Sequence, residues 1–252
     1  MATIYDRTDI YDLFETEQQY QAVRNHWDTM FEGKNIQSVL DVSIGTGGLT
    51  LPMSDMGIAL FGSDLSESML ARCREKANAR GQQVDLRQCD FRNLTSCFDR
   101  KFDCVVSTGN SLPYVPNSEI GHVLAQMDAL VEHGGYLYVD LRNWDKILSQ
   151  HQRFFTYNPV FVGENRINLV QVWDHHADGS ITFNLLYTFE KDHRIFQTET
   201  FEEHYYPVRQ QFLLDQLEKL GYRDIQVLAF PVQLGSFRME QTDWYCMIAK
   251  KP

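Results

Sequence analysis

Residues 38–48 read SVLDVSIGTGG, and the fold turns on them. Ser38 to Val42 is a short apolar run interrupted by one acid, Asp41, as expected of a strand buried on both faces. Gly45 and Gly47 follow where such a strand must bend sharply into a helix, and a missing Cβ there lets a ligand approach the main chain closely. A helix is expected from about Leu49 to Met56, which completes one strand–turn–helix unit.

The same alternation continues on the C-terminal side. Strands are expected at Ala59–Ser63, Val84–Gln88, Phe102–Ser107 and Gly135–Leu141, with a Ser66-capped helix after the first of these and another near Glu119–Val131. Before the glycine turn, Tyr20, Val23, Trp27, Met30 and Phe31 recur at helical spacing in residues 15–32, and Gly33 ends the pattern. From Phe154 to Tyr206 the period changes to two, with turn signals at Asp178-Gly179 and Lys191-Asp192, so an antiparallel insertion is expected. A helix over Val208–Leu220 and strands at Ile225–Phe230 and Trp244–Ala249 close the chain. The expected fold is α/β: a Rossmann-like, doubly wound, mostly parallel seven-stranded sheet with an antiparallel β insertion after the fifth strand. The expected organisation is a single domain, 1–252, with an N-terminal helical lid at 1–34 and a substrate-covering insertion at 150–206.

Bulk properties narrow the function. A formal net charge of −11 disfavours nucleic acid, whose binding depends on lysines and arginines displacing counterions. The N-terminal residues alternate apolar with charged side chains and contain no unbroken apolar stretch, so neither a signal peptide nor a membrane partner is expected, and the location read from this is cytoplasmic. Five cysteines, Cys73, Cys89, Cys97, Cys104 and Cys246, are odd in number and lack a CxxC pair, so they are expected to be reduced and mostly buried, with no metal site. Oligomeric state is not legible.

An acid about 20 residues beyond a glycine turn, at the end of the second strand, is where a nucleotide's ribose diol is usually held, and Asp64 stands there. Read alone, Asp64 serves equally well as a cap of the following helix, and Asp90 as the cap of a turn. The turn itself is DxxxGxG, with the acid inside the strand end, and not the GxGxxG of dinucleotide enzymes. In this the sequence resembles class I S-adenosylmethionine-dependent methyltransferases. The resemblance implies S-adenosylmethionine as cofactor, with Asp41 supporting its methionyl amino group, Gly45 and Gly47 passing beneath it, and Asp64 accepting from both ribose hydroxyls. It further implies that Asp90 and Phe91 flank the adenine, and that Ser43, Leu65, Met69 and Ser107 line the cofactor. Ser43 occupies a place where the family usually has glycine.

Two more segments, Ser107–Leu112 (STGNSL) after the fourth strand and Val139–Leu148 (VDLRNWDKIL) after the fifth, are similar to glycine N-methyltransferases and to the glycine/sarcosine N-methyltransferases of betaine synthesis. Both lie at carboxyl ends of strands, where open α/β sheets bind ligands. Arg142 carries a guanidinium whose paired donors match a carboxylate, although a surface ion pair would use it as well. Asn110 has a side-chain carbonyl that can accept from an amine, and its residue type also suits a tight turn. Tyr114, Tyr187 and Tyr206 complete the expected acceptor pocket, with Asn110, Arg142 and Tyr206 as its catalytic members; packing roles for the tyrosines remain open. Tyr114 stands where those relatives have histidine. The implied reaction is in-line transfer of a methyl group to the neutral amine of a small carboxylate such as glycine or sarcosine. An amino sugar or another natural-product amine as acceptor, or a non-catalytic cofactor-binding role, are the alternatives.

Overall fold

The computed structural model describes residues 3–232 and 238–252. Its strands run in chain order as β1 Ser38–Asp41, β2 Ala59–Asp64, β3 Val84–Gln88, β4 Phe102–Ser107 and β5 Val131–Arg142. The insertion follows as β6 Phe154–Thr156, β7 Val160–Val162, β8 Asn165–His175, β9 Ile181–Lys191 and β10 Arg194–Tyr205, and β11 Arg223–Ala229 and β12 Trp244–Lys250 end the chain. The helices are α1 Thr8–Tyr11, α2 Glu17–Phe31, α3 Glu67–Ala79, α4 Leu94–Cys97, α5 Asn117–Ala129, α6 Trp144–Gln150 and α7 Gln210–Lys219. Seven strands form one sheet in the order β11-β12-β5-β4-β1-β2-β3, and four more form a second sheet in the order β10-β9-β8-β6, with β7 paired to β8. Neighbours among β1 to β5 pair in parallel, while β12 runs antiparallel to β5 and β11. The fold is thus the expected Rossmann-like α/β sheet with an antiparallel insertion after its fifth strand.

Chain order reverses between β1 and β4, so the crevice at their carboxyl ends is the natural place for a ligand. Every residue of β1 is buried, Asp41 included, which explains its apolar reading on both faces. Against one face of the sheet lies α2. Thr16 and Gln19 form its capping box, and Tyr20, Val23, Trp27, Met30 and Phe31 make its buried side. The Trp27 indole donates to the Leu49 carbonyl at 2.7 Å, tying the helix to the glycine turn.

Three differences from the sequence reading have local causes. The helix expected at 49–56 is a 3-10 helix, Leu51–Met56, opened by Pro52 and closed by Gly57 at φ 79°. Strand β5 starts at Val131, four residues before its expected Gly135. Residues 4–14, which show no long apolar period, fold as the short helices 4–6, α1 and 12–14 and bury Ile4 and Ile10.

In the insertion, Ile167, Leu169, Gln171 and Trp173 of β8 and Ile181, Phe183, Leu185 and Tyr187 of β9 are buried in strict alternation with more exposed neighbours. The two strands pair so that Trp173 faces Phe183 across the ladder. Asp192 and His193 take left-handed backbone angles, φ 50° and 60°, as a tight two-residue hairpin requires. The apolar side of this second sheet shares one core with the first. Among the described residues no helix is long and apolar enough to cross a membrane.

Candidate active site

The glycine turn is held from below by Asp41. This carboxylate is fully buried, accepts from the Ser43 amide at 3.0 Å on Oδ1, and accepts from the Thr50 and Thr108 hydroxyls at 3.0 and 2.9 Å on Oδ2. Among the described residues no cation pairs with it, and burial pushes its carboxyl up to about 6. Ser43 fits without strain: its hydroxyl donates to the Thr108 carbonyl and accepts from the Thr108 amide, each at 3.1 Å, joining the end of β1 to the end of β4. Ser107 is buried beside it, hydroxyl to hydroxyl at 3.4 Å. Gly47, at φ 83°, has room for no side chain, since a Cβ would stand 2.7 Å from Leu51 Cγ and 2.8 Å from Cys73 Sγ. Gly45, at φ 56°, faces the Met69 methyl group.

Asp64 stands at the end of β2 and receives the Gly45 amide on Oδ2 and the Ser66 amide on Oδ1, both at 2.9 Å. It therefore links the two turns directly, while Ser66 takes over the capping of α3 by accepting from Met69 N. Leu65 beside it is 66% exposed, and Met69 is buried. Beyond β3, Asp90 is drawn to Arg92, with which it forms an ion pair at 2.6 Å, and it caps the 91–93 turn through the Arg92 amide at 2.9 Å. That pairing holds the Asp90 carboxyl below its usual range. Phe91 is half-buried against the main core.

Across this turn lies the N-terminal segment. Asp12 accepts from the Thr46 hydroxyl at 2.7 Å and pairs with Arg72 of α3 at 2.7 Å. Glu15 reaches Thr46 at 3.2 Å, pairs closely with Lys76, and occupies the space that a Cβ on Gly48 would need. A cavity of about 160 Å³ opens beside this clamp, lined by Glu15, Tyr20, Gly47, Leu51, Lys76 and Arg80 among others. It lies against the first turn of α2, and neither Asn110 nor Arg142 lines it.

At the end of β5 the Arg142 side chain is 5% exposed and meets no carboxylate among the described residues. Its guanidinium carbon lies 4.8 Å from the ring centroids of Phe155 and Trp244, 5.3 Å from Trp173 and 5.5 Å from Phe183. One terminal nitrogen donates to the Tyr157 hydroxyl at 2.9 Å and to Gln171 Oε1 at 3.3 Å. Asn110, in the left-handed region at φ 62°, fixes the backbone of this arginine: its Oδ1 accepts from Arg142 N and from the Trp144 indole, each at 3.0 Å. Asp140 in turn holds the loop, accepting from the Gly109 amide at 2.9 Å. Facing these strand ends is a cluster of hydroxyls. Tyr114 meets Tyr5 closely, Tyr205 at 2.6 Å and Glu203 at 3.0 Å. Tyr187 and Tyr157 both pack against Phe14 of the N-terminal segment, at 6.1 and 5.7 Å between ring centroids.

Known proteins are similar to this chain in sequence and in fold. Residues 39–135 match a family model described as a methyltransferase domain. Over 251 residues the chain is 27% identical to the glycine/sarcosine N-methyltransferase of Parasynechococcus marenigrum (strain WH8102), spanning 98% of this chain and 84% of that one. It is 24% identical over 248 residues to the glycine/sarcosine/dimethylglycine N-methyltransferase of Actinopolyspora halophila, spanning 95% of this chain and 40% of that one. Among solved structures, an S-adenosylmethionine-dependent methyltransferase from Clostridium acetobutylicum superposes with a TM-score of 0.77 at 16% identity over 97% of both chains. An amino pentose methyltransferase from Micromonospora echinaspora, solved with bound S-adenosylmethionine, superposes at 0.73 and 15% identity over 100% of this chain and 98% of that one. These likenesses support a class I S-adenosylmethionine-dependent methyltransferase.

S-adenosylmethionine is the cofactor of this methyltransferase, and the turn suits its chemistry. The cofactor presents an ammonium, and Asp41 is a buried carboxylate that no cation among the described residues balances. It presents a ribose diol, and Asp64 is an acid fixed at the end of β2 with only backbone amides on its oxygens.

Several acceptor-site expectations change. Asn110 Oδ1 is already engaged by two donors, so it has no lone pair left for an amine and instead sets the position of Arg142. Tyr206 lies off the hydroxyl cluster: its amide donates to the Pro113 carbonyl at 2.8 Å and its ring packs on exposed His204. Tyr205 stands in the cluster instead, because alternation along β10 turns Phe201, Glu203 and Tyr205 inward. Tyr157, Gln171 and Glu203 were not anticipated, since each sits within a run of alternating residues that reads as packing. The cysteines also differ from expectation. Cys73, Cys104 and Cys246 are free and buried, but Cys89 and Cys97 form a disulfide. The 91–93 turn and α4 fold the chain back on itself and bring their Cα atoms to 6.4 Å, within bridging range, at a sequence spacing that carries no motif.

Proposed function

We propose that this methyltransferase transfers the methyl group to the amine of a small amino acid, glycine or sarcosine, as in betaine synthesis. One observation carries the reading: Arg142 is a buried cation with four aromatic rings around it and no carboxylate among the described residues. A guanidinium taken from water without an anion costs several kcal/mol, and a substrate carboxylate arriving on its two-pronged donor edge would offset that cost. The names of its relatives from Parasynechococcus and Actinopolyspora support the same acceptor class.

When bound, S-adenosylmethionine supplies an electrophilic methyl carbon on a sulfonium. Asp41 would balance its amino group and Asp64 its ribose diol, over Gly45 and Gly47, with Ser43, Leu65, Met69 and Ser107 around the turn and Phe91 beside the adenine. Asp90, held by Arg92, would act there by fixing the loop. Arg142 would hold the acceptor carboxylate, Asn110 fixes its backbone, Tyr157 and Gln171 keep the guanidinium in place, and Tyr114, Tyr187 and Tyr205 line the amine side. The segment 1–34 and the insertion 150–206 would cover the strand ends and exclude water, which strengthens every charge interaction inside.

A second reading, an amino sugar as acceptor, is favoured by the likeness to the amino pentose methyltransferase fold. Labelled S-adenosylmethionine offered with glycine, sarcosine, other amino acids and amino sugars separates the two. Arg142→Ala is expected to raise KM for glycine or sarcosine at least about 100-fold, the scale of a lost buried charge pair. Robust methylation of an amino sugar, untouched by that substitution, would sink the amino-acid reading.

A further inference from the structure

Methyl transfer to an amino acid leaves one buried acid without a task. Glu203 lies on the inner face of β10, 7% exposed, between the inward side chains of Phe201 and Tyr205. Its Oε2 accepts from the Tyr114 hydroxyl at 3.0 Å, whereas Oε1 is buried and has no partner. Among the described residues no lysine, arginine or histidine forms an ion pair with it. Arg142 is its mirror image, a buried cation without an acid. Tyr205 joins their surroundings: its hydroxyl bonds that of Tyr114 at 2.6 Å, and its ring packs at 4.6 Å on Phe183, the ring that also faces the Arg142 guanidinium at 5.5 Å. Opposite, unbalanced charges at the two ends of this chain of contacts match a molecule that is itself both ammonium and carboxylate.

We propose that Glu203, steadied by Tyr114, binds the ammonium end of the acceptor and takes its proton before methyl transfer. This rests on the acceptor being an amine, and it deepens the amino-acid reading by giving the second charge of a zwitterion its counterpart. The step balances. An N–H bond of the ammonium breaks, its electron pair stays on nitrogen, and the proton forms the carboxylic acid on Glu203. The freed lone pair then bonds the methyl carbon while the C–S pair remains on sulfur, and the methylated ammonium carries one positive charge away. Glu203 returns its proton to solvent between turnovers.

The groups facing Glu203 suit that exchange. Tyr5 from the N-terminal segment, Tyr114 from the turn after β4, Tyr187 from β9 and Tyr205 from β10 are all neutral hydroxyls at physiological pH, burial holding each above its ordinary value. Arg142 lowers the pKa of Tyr205, and Arg7 pairs with Glu199 farther along β10 at 3.4 Å. In these surroundings burial pushes the Glu203 carboxyl up to about 7, where a base exchanges protons readily at neutral pH.

The test is the pH dependence of kcat and kcat/KM from about pH 6 to 10 for the wild type, Glu203→Gln and Tyr114→Phe, with whichever amine of the panel reacts fastest. Calorimetric binding of S-adenosylhomocysteine checks the fold and the cofactor turn. Glu203→Gln is expected to lower kcat about 100-fold or more at pH 7, with the deficit shrinking as the amine itself becomes neutral near pH 10. A wild-type profile, or a loss of equal size at every pH, overturns the proposal. Should Glu203→Gln fail to bind S-adenosylhomocysteine, Tyr114→Phe decides. Loss of its hydrogen bond is expected to raise the Glu203 pKa and move the acid limb of kcat/KM upward, and an unmoved limb overturns the proposal. If only amines lacking a carboxylate are methylated, the amino-acid reading falls while the Glu203 result stands on its own. If the wild type methylates no amine, both fall.

Discussion

Arg142 and Tyr205 mark how far single residues can be read. Arg142 was singled out because it ends a strand in LRNWD, at a carboxyl end where open α/β sheets bind ligands, and because a guanidinium matches a carboxylate. What the sequence hid is its setting of four rings, Tyr157 and Gln171, all but one ring of which the insertion contributes from distant strands. Tyr205 and Tyr206 are neighbours of one type, and only the register of β10 against β9, which sets Glu203 opposite Phe183 and Tyr205 opposite Ile181, tells inward from outward. The two tyrosines should therefore separate in function. Tyr205→Phe, which removes a hydroxyl held at 2.6 Å by Tyr114, is expected to lower kcat/KM roughly 10-fold. Tyr206→Phe is expected to leave it unchanged, so steady-state kinetics in which Tyr206→Phe shows the larger loss would reverse the assignment.

Between elements, the clearest unforeseen feature is the clamp that draws residues 4–16 onto the glycine turn. A period-based reading finds α2 because its apolar residues repeat over four turns, and misses the short helices before it because four residues complete only one turn. Asp12 is the centre of the clamp. Its carboxyl group is buried against Thr46 of the turn and the Arg72 and Lys76 side chains of α3, with N–O separations of 2.7 and 3.5 Å to the two cations. Replacing it leaves Arg72 to Glu75 alone and Lys76 to Glu15 alone, and takes the acceptor from the Thr46 hydroxyl at the edge of the cofactor cleft. Asp12→Ala is expected to weaken S-adenosylhomocysteine binding roughly 10-fold, mainly through faster dissociation, while the sheet and its core stay intact. Stopped-flow release of the product is the measurement, and a dissociation rate equal to that of the wild type would show that the clamp plays no part in retaining it.

Over the whole molecule, acids outnumber cations in the interior. Asp41, Asp140 and Glu203 are all buried without a cation among the described residues, and burial raises the pKa of each. An acid whose folded pKa is raised stabilises the fold fully below its unfolded pKa, and that contribution is lost as pH rises through the folded value. For Glu203 the window runs from its ordinary 4.5 up to about 7. His26 acts in the opposite sense. It is buried, accepts from the Val232 amide on Nδ1 and is pushed down to about 3, so it withdraws stability only as pH falls below its ordinary 6.5. Between pH 6.5 and pH 8 the acids outweigh His26, which regains only about 0.4 kcal/mol, and Glu203→Gln leaves that share unchanged. Over that interval Glu203 alone is expected to cost the ligand-free protein about 1 kcal/mol, a fall in Tm of roughly 2–4 °C. Glu203→Gln should remove that share of the fall and leave the part due to Asp140 and Asp41. Cofactor product, whose ammonium favours ionised Asp41, should stabilise the protein more at pH 8 than at pH 6.5. Calorimetric melts at the two pH values, with and without S-adenosylhomocysteine, read both effects at once. An unchanged pH slope in Glu203→Gln would mean that this carboxyl is ionised throughout and balanced in the folded chain.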